Sequence, residues 1–294
     1  MHPSAASIRV SLRNILLPTD FSPRSETILA YGVGLARRYD CALYTVTVVP
    51  EEITDYVQPP DPFFLRHSAE KKMASLANSI LLQGIRHREF VKEGSVTETL
   101  SDLIDRLEID LVVLGTHGRS GMKKVVLGSV AEELVNSSPC SVITIGPEVP
   151  PVAQPHAKLQ RILYATDLLG RSERALAFAL WLAEQDHARL TLLHVLKTPS
   201  GAPHAYPQSE RELTMRRLAD LIPPETAAVV ETECIAEIGA PGEQILKVAA
   251  SQSTDLIVMA PHHTAHARAA THLPWITPHR VLSHARCPVL TVRD

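Results

Sequence analysis

Residues 115–129 read GTHGRSGMKKVVLGS and hold three glycines and a serine in the pattern G-x2-G-x9-G-Ser: Gly115, Gly118, Gly128 and Ser129. They follow the run Asp110-Leu111-Val112-Val113-Leu114, which has the composition of a buried parallel strand. A glycine has no Cβ, so a glycine-rich turn that leaves a strand lets backbone N–H groups close on an anion. Ser129 opens the next helical pattern, where its hydroxyl, the following N–H groups and the helix dipole all favour negative charge, the dipole alone by roughly 0.3–1 kcal/mol. Arg119, Lys123 and Lys124 add positive charge to the same stretch. The chemistry these residues suit is the holding of phosphate; the bland alternative is a tight strand-to-helix turn. Asp20, at the end of the apolar run Asn14–Pro18, is a second candidate, against the alternative of a simple helix-start carboxylate.

The chain then repeats itself. Asn14–Val49 aligns with Arg161–Leu196, with identities at Ile15/Ile162, Leu16/Leu163, Thr19/Thr166, Asp20/Asp167 and the Arg-Ser-Glu of residues 24–26 and 171–173. The match resumes with Gly94 on Gly239, Glu98 on Glu243 and Asp110-Leu111 on Asp255-Leu256, and closes with Cys140 on Cys287. A duplicated domain with small length changes accounts for this. The repeat leaves the glycines out: Ala260 stands for Gly115, His263 for Gly118 and Trp275 for Gly128, and Ile276 removes the helix-start hydroxyl. Each change adds a side chain where backbone would have to touch phosphate, so the second site is expected to be degenerate although Asp167 survives.

The same segment is rich in histidine, with His262, His263, His266, His272, His279 and His284. Neutral imidazole suits zinc, nickel or copper. The spacing is irregular and no HExxH or CxxC accompanies it, so a polar loop is preferred and no metal ligand is assigned.

These residues need a frame that alternates strand and helix. The expected elements of the first half are a strand at Asn14–Pro18, a helix begun by Ser22-Pro23 and running through Tyr39, and a strand at Ala42–Val49. A helix around His67–Gln83, a strand around His87–Lys92, a helix at Val96–Leu107 and the Leu111–Leu114 strand follow. Ser129–Ser137 is the last helix and Ser141–Ile145 the last strand. Such alternation builds a mostly parallel sheet with helices on both faces, a doubly wound α/β fold. Ligands there bind at the carboxyl ends of the strands where strand order reverses. Asp20 and Gly115 both fall at such ends. The expected division is 1–147 and 159–294, joined by a proline-bearing linker at 148–158 that no helix or central strand tolerates.

The 294 residues suffice for two such cores, and a formal charge of −3 gives no pull towards nucleic acid or anionic membrane. No apolar run reaches the roughly 20 residues that span a bilayer. The first fourteen residues lack the apolar core of a secretory signal, and a cytoplasmic location is the default expectation. Cys41, Cys140, Cys234 and Cys287 form no CxxC pair and are read chiefly as small buried hydrophobes.

Pro-Thr-Asp at 18–20, LGTHGRSG at 114–121, LGSVAEELV at 127–135 and the closing C-x-V-x-x-I strand at 140–145 together resemble the universal stress protein family, and in particular its tandem-domain members that bind ATP. The resemblance covers nearly the whole chain, once per half. It implies five parallel strands per half in the order 3-2-1-4-5. It further implies that Gly115, Gly118, Gly128 and Ser129 are the motif residues, and that N–H groups from His117 through Arg119 and Ser120 to Gly121, and of Ser129-Val130, surround phosphates and ribose. Pro18, Thr19 and Asp20 match the residues beside the adenosine, and Val48 the residue whose backbone meets adenine. Where the family often has His before that valine, the first half has Thr47; the second half keeps His194.

The expected function is a regulatory, stress-response protein that binds ATP with Mg²⁺ at one site per chain and acts on an unidentified protein partner. The halves are expected to form an intramolecular pseudo-dimer through their last strands, Ser141–Ile145 and Pro288–Val292, with a further homodimer. The alternatives are a slow ATPase, in which His117 or Asp20 positions water, and a nucleotide-free adaptor with a metal site in the second half. No residue is assigned a catalytic role: a nucleophile–base constellation, a Walker loop, HIGH and SGGxDS are all missing. The GxGxxR of residues 32–37 lies inside a helical pattern.

Overall fold

An apolar run without polar alternation has to be covered on both faces, and Ile15, Leu16 and Leu17 are all fully buried in β1 (Asn14–Pro18). The computed structural model describes residues 8, 10–50, 62–116, 127–151, 158–169, 172–196, 208–260 and 276–293. After β1 the first half continues with α1 (Pro23–Arg38), β2 (Ala42–Val49), α2 (Pro62–Ala77), β3 (His87–Glu93), α3 (Val96–Arg106), β4 (Leu111–Gly115), α4 (Ser129–Ser137) and β5 (Ser141–Ile145). The second half has β6 (Arg161–Ala165), α5 (Glu173–Asp186), β7 (Arg189–Leu196), α6 (Gln208–Ala219), the short α7 (Pro224–Ala227) and β8 (Thr232–Ile238). It ends with α8 (Pro241–Ser251), β9 (Leu256–Met259), α9 (Ile276–His284) and β10 (Val289–Thr291).

The first half has the strand order β3-β2-β1-β4-β5, and the second repeats it as β8-β7-β6-β9-β10. Both are 3-2-1-4-5, the order that the resemblance implies. The ladders of β1 with β2 and β4, and of β6 with β7 and β9, are parallel. Right-handed crossovers that leave a central strand in opposite directions put helices on both faces. Ser22 starts α1 as the sequence indicates, its side chain accepting from Ser25 N–H, with Pro23 in the first turn. Gly32 of the GxGxxR stretch lies within α1, where a Cβ would come 2.2 Å from Leu17 Cδ1. That glycine therefore lets α1 approach β1 and serves packing.

α1, β3, α3 and β4 end within one residue of the sequence reading, and two elements differ from it further. The second helix begins at Pro62 and ends at Ala77, and a separate 3-10 turn, Ile80–Leu82, follows. Asn78 ends the helix by donating its side-chain amide to Ala74 O at 2.8 Å, and the turn then delivers Leu82 to the core. β10 is also shorter than the apolar run Pro288–Val292.

The duplication is visible in the backbone itself. Non-glycine residues with positive φ occur at matched positions: Phe21 and Leu168 (56° and 59°), Asp40 and His187 (51° and 53°), Glu108 and Ser253 (48° and 51°). A carboxylate clasp also recurs. Asp110 Oδ2 accepts the N–H groups of Arg13 and Asn14 at 2.8 and 2.9 Å, and Asp255 Oδ2 those of Gln160 and Arg161 at the same distances. Each clasp ties the entry of the central strand to the residue before its neighbour. Asp110→Ala and Asp255→Ala are each expected to cost about 2 kcal/mol of stability, the scale of hydrogen bonds to a charged group. Urea unfolding of each variant measures this, and an unchanged midpoint would remove the clasp from the account.

Candidate functional site

The carboxyl ends of β2, β1 and β4 lie side by side. Pro18 pairs with Val46, and Leu16 with Val112, so the two registers carried forward bring Asp20 level with Val48 and Thr19 level with Gly115. Between β1 and β4 the strand order reverses, which opens a crevice at the sheet edge.

Beyond β1 the chain makes a compact polar turn. Thr19 N–H donates to Val46 O at 2.8 Å, Phe21 N–H to Thr19 Oγ1 at 3.2 Å and Ser22 N–H to Asp20 Oδ1 at 3.0 Å. Asp20 Oδ1 also accepts from the Ser25 hydroxyl. The carboxylate is thus held from one side by the start of α1. The ammonium of Lys72 on α2 lies 5.6 Å from the centre of the Phe21 ring and adds a cation near this turn.

On the other side, Thr116 O accepts the N–H of Gly128 at 2.7 Å, which brings the start of α4 back to the end of β4. Gly128 is the N-cap residue, with extended backbone and no capping side chain. The first helical bond runs from Glu132 N–H to Gly128 O, so the N–H groups of the preceding turn are available to an anion. Ser129 is exposed, and Val130 and Val48 are half-buried. Pro18, Thr19, Asp20, Val48, Gly115, Gly128, Ser129 and Val130 are therefore brought to one edge of one sheet. His117, Gly118, Arg119, Ser120 and Gly121 lie outside the described residues.

The second half builds the same turn. Thr166 N–H donates to Leu193 O at 3.0 Å, Leu168 N–H to Thr166 Oγ1 at 3.1 Å and Leu169 N–H to Asp167 Oδ1 at 3.0 Å. His194, aligned with Thr47, has Nδ1 2.9 Å from Thr166 O, so the ring secures the turn as an Nδ1–H donor. At Ile276 the last helix starts without a hydroxyl. His262, His263, His266, His272 and Trp275 lie outside the described residues. His284 Nδ1 is 3.0 Å from Arg280 O. Among the described residues no group of three or more His, Cys, Asp and Glu could hold a metal ion.

The model of the universal stress protein family matches residues 11–146 and again 158–293. The chain belongs to this family, in tandem form. Universal stress protein MJ0531 of Methanocaldococcus jannaschii is 23% identical over 140 residues, covering 45% of this chain and 81% of the relative. A solved universal stress protein of Archaeoglobus fulgidus shares the fold along 96% of both chains, with a TM-score of 0.71 and 21% identity. A universal stress protein solved in complex with cAMP matches 47% of this chain and 98% of its own, at 21% identity and a TM-score of 0.37. Among the described residues no helix is long and apolar enough to cross a membrane.

Ser25 was not among the residues that the sequence singled out for the site, although its repetition within Arg-Ser-Glu was the signal that could have found it. The thiols stand apart from the edge. Cys41, Cys140 and Cys287 are buried, Cys234 half-buried, and all four are free. Burial, with Asp110 and Asp40 adding to it, pushes the Cys41 thiol from 9.0 up to about 12. Burial with Asp255 does the same to Cys287, also to about 12. Burial raises Cys234 too, with Glu233 adding to it. An unfolded thiol ionises first as pH rises, so the contribution of Cys41 and Cys287 to stability is complete below pH 9.0 and declines between there and about 12. Alkylation of the folded chain at pH 8 should modify Cys234 at least about tenfold faster than Cys41 or Cys287. Mass mapping of the labelled peptides checks this, and equal labelling of Cys41 would contradict its burial.

Proposed function

We propose that this chain is an ATP-binding regulatory protein of the stress response, with one nucleotide site, in its first half. The observation that carries the reading is the meeting of the Asp20 turn, Val48 and the side-chain-free start of α4 at the reversal point of one parallel sheet. A nucleotide has two unlike ends, and this edge offers something to each. Asp20, with Pro18 and Thr19, and the backbone of Val48 lie beside the adenosine. Gly115, Gly118, Gly128 and the N–H groups of residues 117–121 and 129–130 receive the phosphates, with Mg²⁺ neutralising charge that Arg119 leaves over. The electrostatics agree in sign at the phosphate end, where helix N-terminal N–H groups favour an anion.

Binding of ATP and Mg²⁺ selects one conformation of the 115–129 stretch, and a protein partner reads the difference. Ala260 and Ile276, at the places of Gly115 and Ser129, support a second half that binds no nucleotide. A pseudo-dimer of the two halves, a homodimer of chains and a cytoplasmic location belong to the same proposal.

The reading is tested by titrating the full chain with ATP and Mg²⁺ in a calorimeter. Gly118→Leu is expected to weaken binding at least about a hundredfold, because several charge-assisted hydrogen bonds are lost together. His263→Ala is expected to leave affinity unchanged. Loss of binding on the second change, or its survival on the first, overturns the assignment. Steady hydrolysis near about 1 s⁻¹ would replace regulation with enzymatic turnover.

A further inference from the structure

Asp20 is the carboxylate named for the proposed site, and its Oδ1 is held both by the turn, through Ser22 N–H, and by the helix, through the Ser25 hydroxyl. Ser25 sits in the first turn of α1 and is only 6% exposed. Its hydroxyl donates to Asp20 Oδ1, the oxygen that also accepts Ser22 N–H at 3.0 Å. The Ser25 backbone is itself fixed, since its N–H donates to Ser22 O at 2.9 Å. The chain from carboxylate to hydroxyl to helix is therefore short and rigid.

The second half supplies an internal comparison with a different outcome. Ser172 aligns with Ser25, is equally buried at 7%, and precedes a matching helix. Its hydroxyl lies 2.9 Å from the hydroxyl of Tyr164 and 3.2 Å from Thr166 Oγ1. Tyr164 also donates to Ser172 O at 3.1 Å and is 1% exposed. The aligned residue in the first half is Leu17, whose side chain has no polar atom to offer. The helix starts differ as well: Ser172 is the N-cap residue of α5, whereas Ser25 already lies inside α1. In the second half the serine hydroxyl meets a phenol of the strand, and in the first half, where leucine stands at that position, it meets the aspartate.

We infer that Ser25 is a positioning residue for the nucleotide site, orienting the Asp20 carboxylate towards the nucleoside, and that an apolar residue at Leu17 is what leaves Ser25 to that role. The inference rests on the nucleotide reading of this edge and deepens it. Ser25 touches no ligand itself; it acts through Asp20. The loss of the second site accordingly has two parts, the missing glycines and a serine redirected by Tyr164.

The test is a double-mutant cycle on the full chain, with ATP and Mg²⁺ as the probe and the dissociation constant as the readout. Ser25→Ala is expected to raise the dissociation constant about tenfold, the loss of one hydrogen bond to a charged group. Ser25→Thr, which keeps the hydroxyl, should recover affinity to within about threefold of the unmodified chain. In an Asp20→Ala background, Ser25→Ala should have no further effect, because the two changes break the same link. Additive losses, a threonine variant as weak as the alanine one, or an alanine variant that binds like the unmodified chain would each overturn the positioning role. An unmodified chain that binds no nucleotide would overturn the functional reading instead, so the two failures are distinguishable.

Discussion

Burial of the central strand on both faces is the constraint from which the rest follows. In the first half β1 lies between β2 and β4, and Ile15, Leu16 and Leu17 admit no polar group along its length. Polar chemistry is thereby driven to the strand's ends. At the entry, Asp110 gathers the two backbone N–H groups that open the strand. At the exit, Thr19 and Asp20 satisfy their own turn at the carboxyl end of the strand. The second half is built the same way around β6, with Asp255 at one end and Thr166-Asp167 at the other, but there the strand also buries the Tyr164 hydroxyl, which Ser172 satisfies. A single architectural demand, met twice, explains why turns and clasps coincide residue by residue between halves whose loops have diverged.

Much of this was legible in the amino-acid sequence because the signals were local. β2, α4 and β5 begin and end where β-branched runs and the glycine-serine helix start indicate. Ser22-Pro23 announced α1, and continuous apolar runs announced strands buried on both faces. The strand order came from the family resemblance, since periodicity alone does not order strands. Harder to read was α2, which starts at Pro62 and stops after Ala77, where the Asn78 side-chain amide turns back on Ala74.

Within the site, the aspartate, the valine and the glycine-serine helix start were legible as residue types at strand ends and helix starts. The partner of Asp20 was not. A serine at a helix start announces no direction, and its hydroxyl meets Asp20 in the half that has Leu17 but the phenol in the half that has Tyr164 at the aligned position. Positive φ at Phe21 and Leu168 was equally hidden, because neither is a residue type that favours that region. The sharpest difference between the halves is therefore carried by identical residues, Ser25 and Ser172, placed in unlike surroundings.

The proposed function makes the molecule asymmetric: one fold built twice, with a nucleotide held in the first copy only. Native mass spectrometry of the full chain at saturating ATP and Mg²⁺ tests it most directly, since it counts bound molecules and subunits in one spectrum. A single ATP for each chain is the expected result. Two ATP molecules per chain, or none, would contradict it.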